Sequence, residues 1–214
     1  MSDETIETLR SAARRDRIAY PGAKRVLDAS CAALGLVLLL PLTAVIAIGI
    51  RCGSPGPVLF RQVRVGRAGR RFTLFKFRTM RVGAKSDPAG RVHVDLPVPT
   101  DDPAITPFGR RMRQLGLDEI PQLLNVLRGD MSLVGPRPTI PEQVEAYTAW
   151  ERRRLEVPQG ITGLAQISGR NNLPWPERIR LDIEYVERCG LGEDLRILLL
   201  TVRRVFVERS LDDC

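Results

Sequence analysis

Residues 29–50 form an uncharged, mostly apolar run with a proline, Pro41, near its middle. As one helix, this run would measure about 33 Å, which is enough to cross the hydrocarbon core of a membrane. A proline inside a helix removes one hydrogen bond and clashes with the preceding turn. Pro41 therefore divides the run into two arms, 29–40 and 42–50, each of which is too short to span a bilayer core of roughly 30 Å.

Basic residues flank both ends of this run. They are Arg14, Arg15, Arg17, Lys24 and Arg25 before it and Arg51, Arg61, Arg64 and Arg67 after it. Because positively charged flanks tend to stay in the cytoplasm, we expect both ends on that side, as in a re-entrant hairpin. The residues alone leave a simple transmembrane helix equally open. A cleaved signal peptide is disfavoured, because the run begins late and no small-x-small site precedes Arg51.

The chain of 214 residues is long enough for one domain with its own core, and its net charge of +8 predicts an acidic partner. That partner could be nucleic acid, anionic lipid or a phosphorylated substrate. The four cysteines show no CxxC spacing, which predicts free thiols and no zinc site. The single histidine, His93, stands in a polar, loop-like stretch and is interpreted as a bystander.

Adjacent acids, Asp118 and Glu119, precede an apolar pattern of helical spacing that Gly129 ends. We therefore expect Asp118 to be the N-cap of a helix, where backbone N–H groups and the helix dipole favour anions. Ordinary capping would also explain both acids. Downstream, Arg137 stands between two prolines that fix the backbone on either side, as a phosphate clamp requires.

The block Leu117–Pro138, LDEIPQLLNVLRGDMSLVGPRP, resembles the signature of the bacterial sugar transferases, small monotopic phosphoglycosyl transferases that act on polyprenyl phosphate. Two further blocks carry the resemblance. These are KFRTM at 76–80 and GITGLAQISGRN at 160–171. The similarity extends over about residues 22–207, and the chain length matches the short form of the family.

The resemblance implies the chemistry and the site. Asp118 would be the nucleophile that attacks a nucleotide sugar, expected to be a UDP-sugar, and holds the phosphosugar until polyprenyl (undecaprenyl) phosphate displaces it. Glu119 would be its partner, and both acids would hold Mg²⁺. The implied substrate contacts are Lys76, Arg78, Arg113 and Arg137 to phosphate, and Gln166 and Arg170 to other parts of the ligand.

Three departures from the family pattern bear on substrate identity. Pro158-Gln159 stands where a basic residue and proline usually precede GITG, so one phosphate-binding cation is missing. Gly116 replaces a usual Ser or Thr, and Leu164 replaces an often aromatic residue. These changes concern the choice of substrate more than the type of reaction.

The predicted fold is α+β and mostly helical, with a polar arm (1–22), a re-entrant membrane helix pair (23–51) and a cytosolic transferase domain (52–214). A β-hairpin is predicted from runs 58–65 and 72–77, and an extended loop over 83–103. Helices are predicted over 106–115, about 141–155 and 194–209, the last amphipathic and suited to either anionic lipid or the core.

The expected location is the cytoplasmic face of a bacterial inner membrane, with membrane lipid as a further partner, and a homodimer remains open. A membrane-tethered nucleic-acid-binding protein is the alternative that the charge allows. Aromatic residues make up only 5% of the chain, and no helix-turn-helix, zinc or RNP pattern supports that alternative. A structural adaptor would leave Asp118, Glu119 and Arg137 without a role.

Overall fold

A computed structural model describes residues 22–82, 102–169 and 173–206. Its helices are α1 (Gly22–Leu38), α2 (Leu40–Gly53), α3 (Pro107–Leu115), α4 (Gln122–Arg128), α5 (Pro141–Glu145), α6 (Ala149–Arg152), α7 (Leu164–Ser168), α8 (Trp175–Arg188) and α9 (Leu191–Phe206). Its strands are β1 (Leu59–Val65), β2 (Arg71–Phe77), β3 (Ser132–Val134) and β4 (Gly160–Thr162). The prediction of a mostly helical α+β fold is confirmed. Nearly all of the polar arm, most of the loop at 83–103, His93 and Arg170 lie outside the described residues.

Helices α1 and α2 form a pair bent by 61° at Leu39. Pro41 occupies the first turn of α2, where its missing N–H costs least, and it cannot donate a hydrogen bond to the carbonyl of Val37 four residues earlier. Among the described residues no single helix is long and apolar enough to cross a membrane, whereas this bent pair meets both criteria when its arms are taken together. The predicted break is confirmed, and the re-entrant topology stays a prediction.

The helix pair packs on the rest of the chain through two apolar clusters. The cluster beneath α1 consists of Ala32, Leu74, Val126 and Met131, and the cluster beneath α2 consists of Ile46, Ile50, Phe77 and Met112. Both arms therefore pack against strand β2 and its neighbouring helices. The opposite sides of α1 and α2 expose large apolar side chains, which suits a lipid environment.

A buried polar network also ties α1 to the C-terminal helices. Lys24 Nζ lies 2.6 Å from Asp194 Oδ2, and Tyr185 donates a hydrogen bond of 2.6 Å to the other oxygen of Asp194. Asp28 accepts a hydrogen bond of 3.2 Å from the backbone N–H of Leu133 in β3. Buried charges are tolerated when they are paired in this way, so the network fixes where α1 joins the body.

The predicted β-hairpin is confirmed, with β1 and β2 antiparallel and Leu59 opposite Phe77. Their turn at 67–69 places Ala68 and Gly69 at positive φ. The hairpin positions Lys76 near the end of β2, next to the turn that carries Asp118.

The segment around Asp118 differs from the prediction. Gly116, in the left-handed conformation at φ 69°, ends α3, and a 3₁₀ turn covers Leu117–Glu119. Helix α4 begins only at Gln122 with Pro121 as its N-cap, and no side chain caps it. The prediction that Asp118 is the N-cap was therefore wrong, because this tight turn separates it from the helix. Gly129 ends α4 as predicted, at φ 89°.

Strands β3 and β4 pair in parallel, and the chain segments that follow β3 and precede β4 lie very close together. A Cβ atom on Gly135 would lie 2.2 Å from the carbonyl oxygen of Pro158, and one on Gly160 would lie 2.1 Å from the nitrogen of Gly135. Only glycine allows this approach. The approach brings the Pro136-Arg137-Pro138 segment next to residues 158–160.

The remaining helices depart from the predictions in detail. The helix predicted over 141–155 is broken into α5, α6 and a 3₁₀ turn at Arg153–Leu155, because Thr148 and Glu151 start α6 afresh with a capping box. Helix α9 is present, and it buries Asp194 and Ile197 while exposing a stripe of large apolar residues. The stripe consists of Leu191, Leu195, Leu199 and Val202. One face of α9 therefore packs on the core, and lipid contact by the other stays a prediction.

Candidate active site

Asp118 is a buried carboxylate at the meeting point of the hairpin and the α3–α4 connection. It is 3% exposed, and its Oδ2 lies 2.9 Å from the Nζ of Lys76. Lys76 stands between the buried residues Phe75 and Phe77, so its ammonium group is held at this point by strand β2. The ion pair neutralises a charge that would otherwise be costly to bury.

Glu119 forms an ion pair with a second cation, Arg137. Its Oε1 accepts a hydrogen bond of 2.5 Å from Nη2 of Arg137, and the same oxygen lies 3.8 Å from Nζ of Lys76. The charge of Glu119 raises the pKa of Arg137 above its ordinary value, although burial acts in the opposite direction. Half of the Arg137 side chain is exposed, so this permanent cation can also meet a ligand.

Arg113, at the end of α3, is the third predicted phosphate contact in this group. Its Nε donates a hydrogen bond of 2.9 Å to the hydroxyl of Thr79. Burial lowers the pKa of Arg113, whereas the negative charge of Asp118 partly restores it. The structure thus brings Lys76, Arg113 and Arg137 around the two acids.

Arg64 of β1 is a further cation of this group, which sequence reasoning named only as part of a basic flank and not as a site residue. Desolvation, together with the positive charge of Arg137, lowers the pKa of Arg64 to about 10. Arg64 donates hydrogen bonds to the carbonyl of Pro138, at 3.2 Å, and to Gln62. Two arginines that repel each other across the Pro-Arg-Pro segment form a surface that an anion would stabilise.

The other predicted ligand contacts lie apart from this group. Arg78 is buried, and its terminal nitrogens donate to the carbonyls of Ser54 and Pro55 at 2.8 and 2.7 Å. Gln166 is buried beside Gly163, and among the described residues its amide has no hydrogen-bond partner. Arg170 lies outside the described residues. The binding roles of these three residues stay predictions.

The unusual residue Gln159 has a structural contact of its own. It is fully buried, and its amide donates to the carbonyls of Arg154 and Val157 at 3.0 and 3.1 Å. Its side chain therefore links the backbone at residues 154 and 157, next to the Pro-Arg-Pro segment. The departure from the family pattern at this position adds a core hydrogen-bond donor.

Asp118 and Glu119 are also the candidates for binding a divalent metal. Across the described parts of the chain, no group of three or more His, Cys, Asp and Glu side chains is close enough to hold a metal by itself. Two adjacent carboxylates suit Mg²⁺, which commonly takes one or two protein carboxylates and completes its shell with phosphate and water. The donor set thus fits Mg²⁺ that arrives with a phosphorylated substrate.

Sequence reasoning missed the ion pair between Arg154 and Asp182, whose side chains are 2% and 3% exposed. Arg154 ends a run of three arginines that looks like a solvated helix face. Its one distinguishing signal was Asp182 in the stretch LDIEYV, an acid flanked by apolar residues at helical spacing.

Comparisons with a family model and with known proteins point to the same family. The model of the bacterial sugar transferase family matches residues 19–208. The uncharacterized sugar transferase EpsL of Bacillus subtilis is 44% identical over 194 residues, which cover 88% of this chain and 89% of that protein.

Two relatives have more informative names. The UDP-glucose:undecaprenyl-phosphate glucose-1-phosphate transferase of Caulobacter vibrioides is 41% identical over 203 residues, which cover 91% of this chain and 74% of that protein. The undecaprenyl-phosphate galactose phosphotransferase of Salmonella typhimurium is 37% identical over 191 residues, which cover 85% of this chain and only 40% of that protein. With a family model that spans nearly all of its length and relatives well above 30% identity, the chain belongs to the bacterial sugar transferase family.

Proposed function

We propose that this protein transfers a sugar 1-phosphate from a UDP-sugar to undecaprenyl phosphate, through a covalent intermediate on Asp118. The names of the Caulobacter and Salmonella relatives support undecaprenyl phosphate as the acceptor, with glucose or galactose as the sugar. Such a reaction is the first membrane step in the assembly of a bacterial polysaccharide.

One observation carries the proposal: Asp118 is a buried carboxylate that shares one cluster of cations with Glu119. Lys76, Arg113 and Arg137 all border it. A diphosphate carries two or more negative charges, and a carboxylate nucleophile repels it. Cations that already surround the carboxylate reduce this repulsion and hold the phosphates within reach.

The proposed reaction has two displacements at the same phosphorus atom. In the first, a carboxylate oxygen of Asp118 bonds to the sugar-linked phosphorus, the bond to the bridging oxygen breaks, and UMP leaves with the electron pair. In the second, a phosphate oxygen of undecaprenyl phosphate bonds to that phosphorus, and the bond to Asp118 breaks. The products are UMP and an undecaprenyl diphosphate sugar, and Asp118 returns to its carboxylate form.

The chain's own cations have distinct tasks. Nη1 and Nη2 of Arg137 donate to the two carboxylate oxygens of Glu119 at 3.4 and 2.5 Å, so Arg137 pairs with a phosphate through the N–H groups that face away from Glu119. Lys76 must shift from Asp118 toward the phosphate when the carboxylate attacks. Bound Mg²⁺, held by Asp118 and Glu119, would neutralise charge on the diphosphate.

We further propose that the enzyme acts at the cytoplasmic face of the bacterial plasma membrane. The bent helices α1 and α2 would enter the lipid and return, with their exposed apolar sides toward acyl chains. This topology puts the acceptor phosphate, which lies at the membrane surface, near Asp118.

The test is to trap the intermediate. Purified protein is incubated with Mg²⁺ and UDP-glucose or UDP-galactose, without acceptor, and analysed by mass spectrometry after quenching. We expect a hexose phosphate on the peptide that contains Asp118 and its loss when undecaprenyl phosphate is added.

Two variants control this experiment. Asp118→Asn should carry no adduct, whereas Glu145→Gln, which changes a surface acid that pairs with exposed Arg71, should form the adduct normally. Acceptor-dependent release of UMP without any adduct would instead indicate direct transfer between the two substrates and overturn the role of Asp118.

A further inference from the structure

The backbone around Arg137 is held at four successive carbonyl oxygens. Each accepts one hydrogen bond from a different place in the fold. The bonds are Gly160 N–H to Pro136 (2.8 Å), Arg154 Nη2 to Arg137 (2.9 Å), Arg64 Nη1 to Pro138 (3.2 Å) and Val65 N–H to Thr139 (2.9 Å). Two of the four donors are side chains, and both belong to arginines.

Arg154 is the more strongly constrained of these two arginines. It is 2% exposed, and the Nη2 that donates to the Arg137 carbonyl also lies 2.5 Å from Oδ2 of Asp182. Its Nη1 donates to the hydroxyl of Tyr147 at 2.6 Å, and its guanidinium lies 5.7 and 5.5 Å from the ring centres of Tyr147 and Trp175. A guanidinium locked in this way has no rotational freedom left.

The carbonyl that Arg154 binds belongs to the residue whose side chain reaches Glu119. The prolines on both sides restrict the backbone of Arg137, so the orientation of its own peptide groups remains the main variable. By fixing that carbonyl, Arg154 fixes the direction in which the Arg137 side chain leaves the backbone. The position of a phosphate-binding guanidinium must be accurate to well under 1 Å to be useful in catalysis.

We propose that Arg154, itself oriented by Asp182, is a positioning residue for Arg137 and thereby controls how well the enzyme binds the diphosphate of its substrate. This inference rests on the proposed function, since it assigns a support to the phosphate site of that reaction. The side chains of Arg154 and Asp182 are buried, at 2% and 3% exposure, so neither is presented to a ligand at the surface. Their effect passes through the carbonyl of Arg137.

The test is a double-mutant cycle on kcat/KM with UDP-glucose or UDP-galactose, whichever the wild type uses. Arg154→Lys keeps the charge next to Asp182, but a single ammonium cannot reach Asp182, Tyr147 and the Arg137 carbonyl together. We expect kcat/KM to fall by about 10- to 100-fold, mainly through a higher KM. In an Arg137→Ala background the same change should cost about 10-fold less, because the side chain that it positions is gone.

A purely structural role would give a different result. The two substitutions would then multiply in their effect on kcat/KM, and this outcome, or wild-type kinetics for Arg154→Lys, would overturn the inference. Arg153→Lys, which alters the neighbouring pair with Glu187, should leave kcat/KM unchanged.

Two further variants keep the test valid if Arg154→Lys folds poorly. Tyr147→Phe removes the hydroxyl that accepts a hydrogen bond from Arg154 and donates one to Thr139, and it should raise KM by a smaller factor than Arg154→Lys does. Ile197→Val lowers stability at a fully buried site that belongs to a different apolar cluster from Tyr147, so its kcat/KM per folded molecule should match the wild type. A wild type without any turnover would count against the proposed function, whereas an active wild type with no coupling would count only against this inference.

Discussion

Asp118 and Glu119 are neighbours in the chain, yet each is held chiefly by a different cation. Asp118 pairs with Lys76, a flexible amine that can move away, and Glu119 pairs with Arg137, a guanidinium on a rigid backbone. This difference suits the separate roles that we propose for the two acids. A nucleophile must be released for attack, whereas an acid that orients a phosphate-binding arginine must stay in place.

Asp118→Asn should abolish turnover while the protein remains folded. The amide has almost the same shape, but it cannot attack phosphorus, and loss of a covalent nucleophile typically costs at least ~10³-fold in kcat. The rate of UMP release, together with the thermal unfolding midpoint, checks this expectation. Near-normal activity would remove Asp118 from the proposed role.

Arg137→Lys should lower kcat/KM by about 10- to 100-fold, because a single ammonium cannot replace the two-nitrogen contact with Glu119 and also donate to a phosphate in the same geometry. The exposed half of the Arg137 side chain argues against a mainly structural effect, so the unfolding midpoint should change little. Steady-state kinetics with both UDP-sugars give the answer. An unchanged KM would show that the phosphates are bound elsewhere.

The buried carboxyl of Asp182 predicts a pH dependence of stability. Burial raises its pKa from 3.8 to about 6, against the opposing charges of Arg154 and Arg178. Between these two values the folded protein binds more protons at Asp182 than the unfolded chain does, so the free energy of unfolding falls as the pH rises. The full effect is on the order of 3 kcal/mol.

Asp182→Asn removes this titration. The unfolding free energy of the wild type minus that of the variant should therefore decline from pH 4 to pH 6.5, as measured by urea unfolding in detergent. A constant difference over this range would contradict the raised pKa.

The segments that follow β3 and precede β4 approach so closely that Gly135 and Gly160 leave no room for a side chain. Gly135→Ala would place a methyl group 2.2 Å from the carbonyl oxygen of Pro158, a backbone atom that cannot rotate away. The segments must separate, which also strains the hydrogen bond between Gly160 and Pro136. We expect a loss of about 2–4 kcal/mol of stability, as for other overpacked or strained sites.

Gly192→Ala is the matched control, because a Cβ on this residue of α9 meets no atom within 4 Å. That change should be neutral or slightly stabilising, since alanine favours a helix over glycine by about 1 kcal/mol. Thermal unfolding of both variants in the same detergent compares them directly. Equal midpoints would mean that residues 135 and 158 can separate at little cost.

Local signals in the sequence were enough for the hairpin, for α3 after Thr106 and for the end of α4 at Gly129, since turn residues and caps act over a few positions. They failed at Asp118, where Gly116 and Pro121 impose a 3₁₀ turn that imitates a capping pattern. The pair Arg154–Asp182 could not be predicted because its partners are 28 residues apart and meet only through tertiary packing.

Both helices of the pair, α1 and α2, are anchored on the rest of the described chain. Lys24 and Asp28 hold the start of α1 through buried polar contacts. Ile46 and Ile50 pack the end of α2 against Phe77. A straight helix would have to release one arm. The bend is thus maintained by two anchors as well as by Pro41.

Replacing Pro41 tests the re-entrant topology. Pro41→Leu restores the backbone donor, so the uncharged run can form one helix of about 33 Å, long enough to cross the bilayer. Releasing α1 requires loss of the Lys24–Asp194 pair, which is worth a few kcal/mol when one partner is removed. We therefore expect Pro41→Leu to convert only part of the population, and Pro41→Leu with Lys24→Ala to convert more.

The measurement is labelling of intact cells with a membrane-impermeant maleimide. A cysteine at position 11 reports the side of the N-terminal arm, in a background in which the four natural cysteines are serine. The parent should resist labelling, Pro41→Leu should be partly labelled, and the double variant should be labelled most, because each change removes one restraint on straightening.

Lys24→Ala alone should stay unlabelled, since the break at Pro41 still prevents a continuous span. Strong labelling of the parent would mean that residues 29–50 already cross the membrane, and the bend between α1 and α2 would then need another explanation.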